Sequence, residues 1–377
     1  MSTQRFSPSR LKVARQLAGL KQVELAALIE LTPPVLSQYE HGSHAPSGPA
    51  LTRLALSLGF PREFFLANDS SPTPSPAFFR SLRSTPQRER DRAAAFAWLV
   101  ARVVEAVETK VRLPKCDLRI DFDLPAAPKR VDMEAAAAAA REALNIPVGP
   151  VANVVRLLEV HGAVVATFSN GDPRLSAFSQ WHGARPIVVF CLGKDDKARQ
   201  RYDGVHELAH LALHGEPEPG NHVLEQQADE FASAFLMPAE EIEPFLPRGR
   251  VKWDELEELK RVWGVSLQSL LVRAHRLGTI TDRTHQTAFR YLSRQGWRRN
   301  EPVDLGAPEE PQLLPRAFAL LAQKAITPGD IFGALALPKK FTTELVESRV
   351  DLSKGAGHVV PLGQPRFPPA PVRSSAR

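Results

Sequence analysis

His206-Glu207-Leu208-Ala209-His210 is the stretch on which the reading of this 377-residue chain turns. On an α-helix residues i and i+4 share a face, so the two imidazoles can converge on one cation, and a tetrahedral Zn²⁺ suits such nitrogen donors. Glu207 is turned about 100° from His206, which lets it address a water molecule without joining the ligand set. A catalytic zinc also needs a third protein ligand and an open position. The Gly and third His of the extended motif are replaced here by Leu213 and Glu216. After a turn-rich bridge from Gly215 to Asn221 comes Glu225-Gln226-Gln227-Ala228-Asp229. Apolar positions 228, 231, 232, 235 and 236 fit a helix packed by one face, on which Glu225 and Asp229 are i, i+4 neighbours. Glu225 is therefore read as the third ligand. Asp229 is read as the carboxylate that accepts the remaining ring N–H of a ligating histidine, His206, and so fixes its tautomer.

These stretches can be compared with a known family. Arg199 to His214, then Glu225 to Pro238 ending in Phe235-Leu236-Met237-Pro238, resemble the ImmA/IrrE family of zinc-dependent endopeptidases. The likeness continues upstream through Leu175-Ser176-Ala177-Phe178-Ser179 and Pro186 to Phe190, and downstream through Val265-Ser266-Leu267 and Arg273 to Leu277. Ala209 stands where a glycine is common. The resemblance implies a gluzincin-like core with His206, His210 and Glu225 as metal ligands and Glu207 as catalytic acid/base. A two-histidine, one-carboxylate set also accommodates Mn²⁺ or Fe²⁺. His214, one turn further along the helix, and Tyr202 are candidates to stabilise an oxyanion, and His214 is taken as the second catalytic candidate. The strand-like segments 175–181 or 186–190 offer an edge to an extended peptide, although either serves equally as a core strand.

The amino terminus carries an independent signal. Leu11, Ala14 and Leu17 mark an amphipathic first helix, Gln22 to Ile29 a short second one, and Thr32 can cap a third whose first turn tolerates Pro33 and Pro34. With the tight turn at Glu30-Leu31 this is a helix-turn-helix arrangement, and Gln22 to Ile29 and Val35 to Gly42 resemble the Xre-type repressor domain. That resemblance implies a helix in the major groove of double-stranded DNA. Thr32, Ser37 and Gln38 are the base-reading candidates, while Gln22 with Lys21, Arg10 and Arg15 suits phosphates. Residues 1–63 hold seven Lys/Arg against four Asp/Glu, an excess that permits DNA without requiring it.

A chain of this length makes two or three domains, and 43% hydrophobic residues are ample for their cores. No signal peptide and no apolar run near 20 residues is present, so a cytoplasmic protein without membrane association is expected. Two cysteines, Cys116 and Cys191, make neither a disulfide framework nor a cysteine-rich zinc site.

The expected fold is α+β and mainly helical. It comprises a helix-turn-helix bundle (1–66), a proline- and serine-rich linker (67–79) that leaves the bundle mobile, a metallopeptidase core with a small sheet (80–265), a helical extension (266–353) and a disordered tail (354–377). Gln87 to Leu113 reads as a long helix with a stripe of Ala95, Leu99, Val103, Val107 and Val111, and the basic run Arg80 to Arg92 as a solvated face. The joint expectation is a DNA-associated regulatory zinc endopeptidase that cleaves a helix-turn-helix repressor, or itself. The alternative is an Xre-type regulator that uses the peptidase fold as a sensor or dimerisation domain, and a homodimer fits either.

Overall fold

The computed structural model describes residues 5–66, 78–79, 86–120, 122, 124–125, 129–168, 175–191, 196–214, 221–338, 341 and 345. Of the expected linker only residues 78 and 79 are among these, and the expected tail lies outside them.

Four helices open the chain: α1 (Pro8–Leu17), α2 (Gln22–Leu28), α3 (Pro33–His41) and α4 (Gly48–Leu58). Prolines at the first turns of α1, α3 and α4 supply a preset φ where the missing N–H costs nothing. Gly42 and Gly59, at φ 76° and 69°, close α3 and α4 in the left-handed conformation. Leu11, Ala14, Leu25, Ile29, Leu36 and Leu54 are withdrawn from solvent into a common core with Phe64 and Phe65.

The sheet consists of β1 (Phe78–Phe79), β2 (Val164–Phe168), β3 (Ala177–His182) and β4 (Arg185–Cys191), in the spatial order β1-β3-β4-β2. β3 and β4 form an antiparallel hairpin, β2 runs parallel to β4, and β1 pairs antiparallel with the outer edge of β3. Side chains alternate between faces along a strand. Val164, Ala166, Phe178, Ile187 and Val189 join the core on one side, and Val165, Ala177, Val188 and Phe190 the core on the other. Both faces are covered, which accounts for the unbroken apolar run Ile187 to Phe190.

α5 (Gln87–Glu108) covers the first face. It buries far more than the expected stripe: Ala93, Ala95, Phe96, Ala97, Trp98, Leu99, Val100 and Ala101 are all withdrawn from solvent. A helix apolar all round must be enclosed, and here the amino-terminal bundle supplies one wall. α1 packs along α5, Arg92 Nε donates to Leu17 O at 3.2 Å, and Arg88 lies 3.6 Å from Glu24. The described part of the basic run keeps a solvated face, with Arg88 exposed and Arg90 and Arg92 half-buried, while the reading of the bundle as freely tethered is corrected at these residues. The bundle and α5 share one apolar core, and arginines of the run brace it.

The remaining helices are α6 (Arg130–Ala143), α7 (Val154–Val160), α8 (Lys197–Leu213), α9 (His222–Leu236), α10 (Ala239–Ile242), α11 (Trp253–Trp263), α12 (Leu267–Arg276), α13 (Asp282–Arg294), α14 (Leu313–Ala322) and α15 (Pro328–Ala334). α8 crosses the second face of the sheet, and α9 packs on α8 and α6. α14 and α15 return to α5, where Leu314, Phe318 and Phe332 fill the same core as the bundle. Much of the carboxy-terminal extension is thus packing. Buried Glu309 fastens it to α7 by accepting from Val154 N (2.7 Å) and Val155 N (3.0 Å). α11, rich in charged residues, was not anticipated; Leu256, Leu259 and Trp263 form its buried face.

Candidate metal centre and nucleic-acid interface

α8 starts at Asp196, whose carboxylate accepts from Arg199 N at 3.2 Å. Gly204 lets the helix sink into the core, because a Cβ there would lie 2.9 Å from Val154 and 3.1 Å from Phe190. The following turn, His206 to His210, is consequently buried under the sheet. α9 starts at Asn221, whose side chain accepts from Val223 N at 3.0 Å, and Glu225 falls in its first turn.

These two helices bring the three expected ligands together. His206 Nε2 and His210 Nε2 are 3.1 Å apart, and Glu225 approaches them at 3.4 and 3.6 Å. One donor atom from each residue fits within a 4.8 Å group, the single such metal-binding group among the described residues. Two ring nitrogens facing each other beside a carboxylate are the donor set of a divalent cation when both rings carry their proton on Nδ1. Glu225 Oε2 is buried and without a hydrogen-bond partner among the described residues, which fits the same reading.

The back sides of the two rings fix their tautomers. His206 Nδ1 lies 3.0 Å from Asp229 Oδ1, and a carboxylate there requires Nδ1 to carry the proton. His210 Nδ1 meets His214 Nδ1 at 2.9 Å, and His214 Nε2 meets Gln227 Oε1 at 3.1 Å. With the amide oxygen as terminal acceptor, His214 donates from Nε2 and accepts at Nδ1, so His210 also carries its proton on Nδ1. Both Nε2 lone pairs are thereby directed toward Glu225. Burial holds the His214 ring down to about 4, consistent with the neutral form this relay needs. His214 sits behind His210 rather than over the cluster, which is a different position from that expected of an oxyanion donor. Tyr202, the other candidate, donates its hydroxyl to Asp229 O at 2.8 Å.

Glu207 is fully buried beside the cluster. Ser179 Oγ on β3 donates to its Oε2 at 2.6 Å, while Oε1 has no hydrogen-bond partner among the described residues. Burial pushes the carboxyl up to about 7, opposed by the neighbouring His206 and the Ser179 hydroxyl and assisted by the charges of Glu225 and Asp203. A carboxyl balanced near neutrality can both take and return a proton.

In the amino-terminal bundle Thr32 and Gln38 are exposed and Ser37 is half-buried on α3. Thr32 occupies the N-cap position of α3, yet its side chain makes no capping hydrogen bond. Gln22 donates to Glu40 at 2.8 Å, and Arg15 grips the same carboxylate at 2.5 and 2.9 Å, locking α1, α2 and α3 together. Arg10 is buried and donates to Phe64 O at 3.1 Å. Arg10 and Arg15 are therefore internal braces rather than phosphate contacts.

Ser179, Gln227 and Glu40 were not singled out from sequence. Ser179 lies in β3 beside the equally polar Gln180, and Gln227 lies in α9 among other polar residues, so polarity alone does not mark either one.

Residues 158–275 match the family model of the IrrE N-terminal-like domain, and residues 11–65 match that of the helix-turn-helix. A comparison with curated proteins found no match. Among the described residues no helix is long and apolar enough to cross a membrane. Ligand spacing, sheet and matches agree: the chain joins a DNA-binding helix-turn-helix domain of the Xre type to an IrrE N-terminal-like domain of the ImmA/IrrE metallopeptidase family.

Proposed function

We propose that the protein is a DNA-associated regulatory zinc endopeptidase that cleaves a repressor-type transcription regulator, or itself, in the cytoplasm. The observation carrying this reading is Glu207, buried beside the His206, His210 and Glu225 cluster with one carboxylate oxygen lacking a hydrogen-bond partner among the described residues. A zinc ion held by those three residues would supply Lewis acidity, polarising a peptide carbonyl and making a water proton easier to remove. The chain's own groups do the rest. Ser179 pins Glu207 Oε2, so Oε1 is the atom that takes a proton from water and returns it to the leaving amine. Asp229 and the His214–Gln227 pair keep the Nε2 atoms of both rings unprotonated. In this reading His214 is a positioning residue for His210. The boundaries 1–66, 80–265 and 266–353 serve as the working division into DNA-binding, peptidase and extension parts.

Glu207→Gln in the full chain should retain stoichiometric zinc and lose cleavage of co-expressed helix-turn-helix repressors. Proteolysis at the parent rate by this variant would refute the assignment. The sensor reading is favoured by one observation, the apolar core that the DNA-binding bundle shares with α5 and the sheet. Stoichiometric zinc with no Glu207-dependent cleavage of any partner would select it.

A further inference from the structure

α13 has one face turned inward and one turned out. Ala288 and Leu292 are buried in the core that also holds α8 and α9, while Arg283, Gln286, Thr287, Arg290, Ser293 and Arg294 are exposed on the opposite side. None of these exposed residues is acidic. Arg283, Arg290 and Arg294 follow one another at seven and four residues, so they fall within about 20° of one line down the helix and span about 16 Å.

The turn after the helix adds Arg298 and Arg299, both exposed, so residues 283–300 hold five arginines and no carboxylate. The acids that border this stretch are engaged elsewhere. Asp282 meets His275 at 2.5 Å, and Glu301 takes Lys260 at 2.9 Å and Leu267 N at 2.8 Å. On α11 the signs are mixed, with Glu255 paired to Lys252 at 2.7 Å and Glu258 to Arg261 at 2.9 Å. Among the described residues none of the five arginines forms an ion pair with a carboxylate.

Aromatic rings hold this basic face in place. Trp253 and Trp297 pack on Tyr291 with centroids 4.5 and 5.6 Å away, Arg294 lies 5.6 Å over Tyr291, and Arg298 lies 4.9 Å over Phe289. A row of one sign, made of forked guanidinium groups that match phosphate oxygens, is the footprint of a polyanion. Duplex DNA presents one charge per ~1.7 Å of axis, or roughly ten over the length of this row. The same chain carries a helix-turn-helix domain, which makes duplex DNA the polyanion it meets.

We infer that the outward face of α13 and the 295–300 turn form a second DNA contact, made to phosphates and indifferent to sequence. Such contacts add affinity and fix position without reading bases.

The test uses the full zinc-loaded chain carrying Glu207→Gln, so that self-cleavage cannot interfere, and a fluorescein-labelled duplex of mixed sequence titrated at several salt concentrations. Arg283→Gln, Arg290→Gln and Arg294→Gln together should weaken binding at least about tenfold at ~100 mM salt and lower the slope of log K against log salt by about 2.7, at ~0.9 per phosphate contact. The control is Arg248→Gln, Lys252→Gln and Arg261→Gln, which removes the same charge from exposed groups that already face carboxylates. Circular dichroism and zinc content at the parent level verify the fold of each protein. A slope and affinity equal to those of the control overturn the inference. Unchanged DNA binding with lost binding of a labelled polyglutamate peptide also overturns it, by assigning the face to an acidic protein. No readout involves turnover, so the outcome is independent of the peptidase reading.

Discussion

Replacing Asp229 with alanine should weaken zinc binding by about 10–100-fold, or ~1.4–2.8 kcal/mol. The Asp229 carboxylate stands 3.0 Å from His206 Nδ1 and its side chain is 38% exposed. A unit positive charge spread onto the ligating ring would interact with it by ~1.4 kcal/mol at a dielectric of about 80 and by ~5.5 kcal/mol at about 20. The exposure places the result toward the lower figure, because water screens the pair. Asp229→Asn keeps an acceptor for Nδ1–H and loses only the charge, so its affinity should fall between parent and alanine. His214→Ala, which removes a neutral partner of His210, should cost less than Asp229→Ala. The assay is competition for zinc against a chromogenic chelator, with circular dichroism to verify folding. An Asp229→Ala protein that binds zinc within twofold of the parent would show that this contact sets neither the orientation nor the basicity of His206.

Two further outcomes concern buried charge. Glu309→Ala should destabilise the chain by about 3–5 kcal/mol, because Arg201 would remain buried without its carboxylate partner; the pair is 2.5 Å apart with both side chains at most 4% exposed, and a loss below about 1 kcal/mol in urea unfolding would refute its role as the clasp between α7, α8 and the extension. In EDTA-stripped protein, Glu207 has a folded value near 7 against 4.5 for the ordinary carboxyl. Because the folded value is raised, its contribution is fully present below pH 4.5 and lost as pH rises through 7. Glu207→Gln should therefore match the parent near pH 4 and exceed it at pH 8 by about 3 kcal/mol, and pH-independent differences in melting would contradict this.

How much of the molecule was legible follows from the range of the forces involved. The candidate ligand pair His206 and His210, with Glu207 between them, is a matter of helical period, and the helix bearing Glu225 and Asp229 announces itself by its apolar face, so five of the candidate site residues are legible in the sequence. The first four helices were legible for the same reason, since proline at first turns and glycine after last turns act on their own neighbourhood. α11 escaped because its charged surface outweighs Leu256, Leu259 and Trp263 in a reading by composition. Arg10 and Arg15 were misplaced because an arginine tied inward looks, in a string of letters, like one reaching outward.

The local pattern thus named the candidate ligands and determined the helix-turn-helix and the α+β class, each read from patterns that repeat within a few positions. Tertiary structure alone decided that Ser179 holds Glu207, that the bundle is docked on α5 and that β1 lies along β3. Those contacts join residues from 28 positions apart in the case of Ser179 and Glu207 to the two ends of the chain, as in the core shared by α1, α5 and α14. No periodicity encodes such pairings, because they arise from the way buried faces of separate elements are matched when water is excluded from between them.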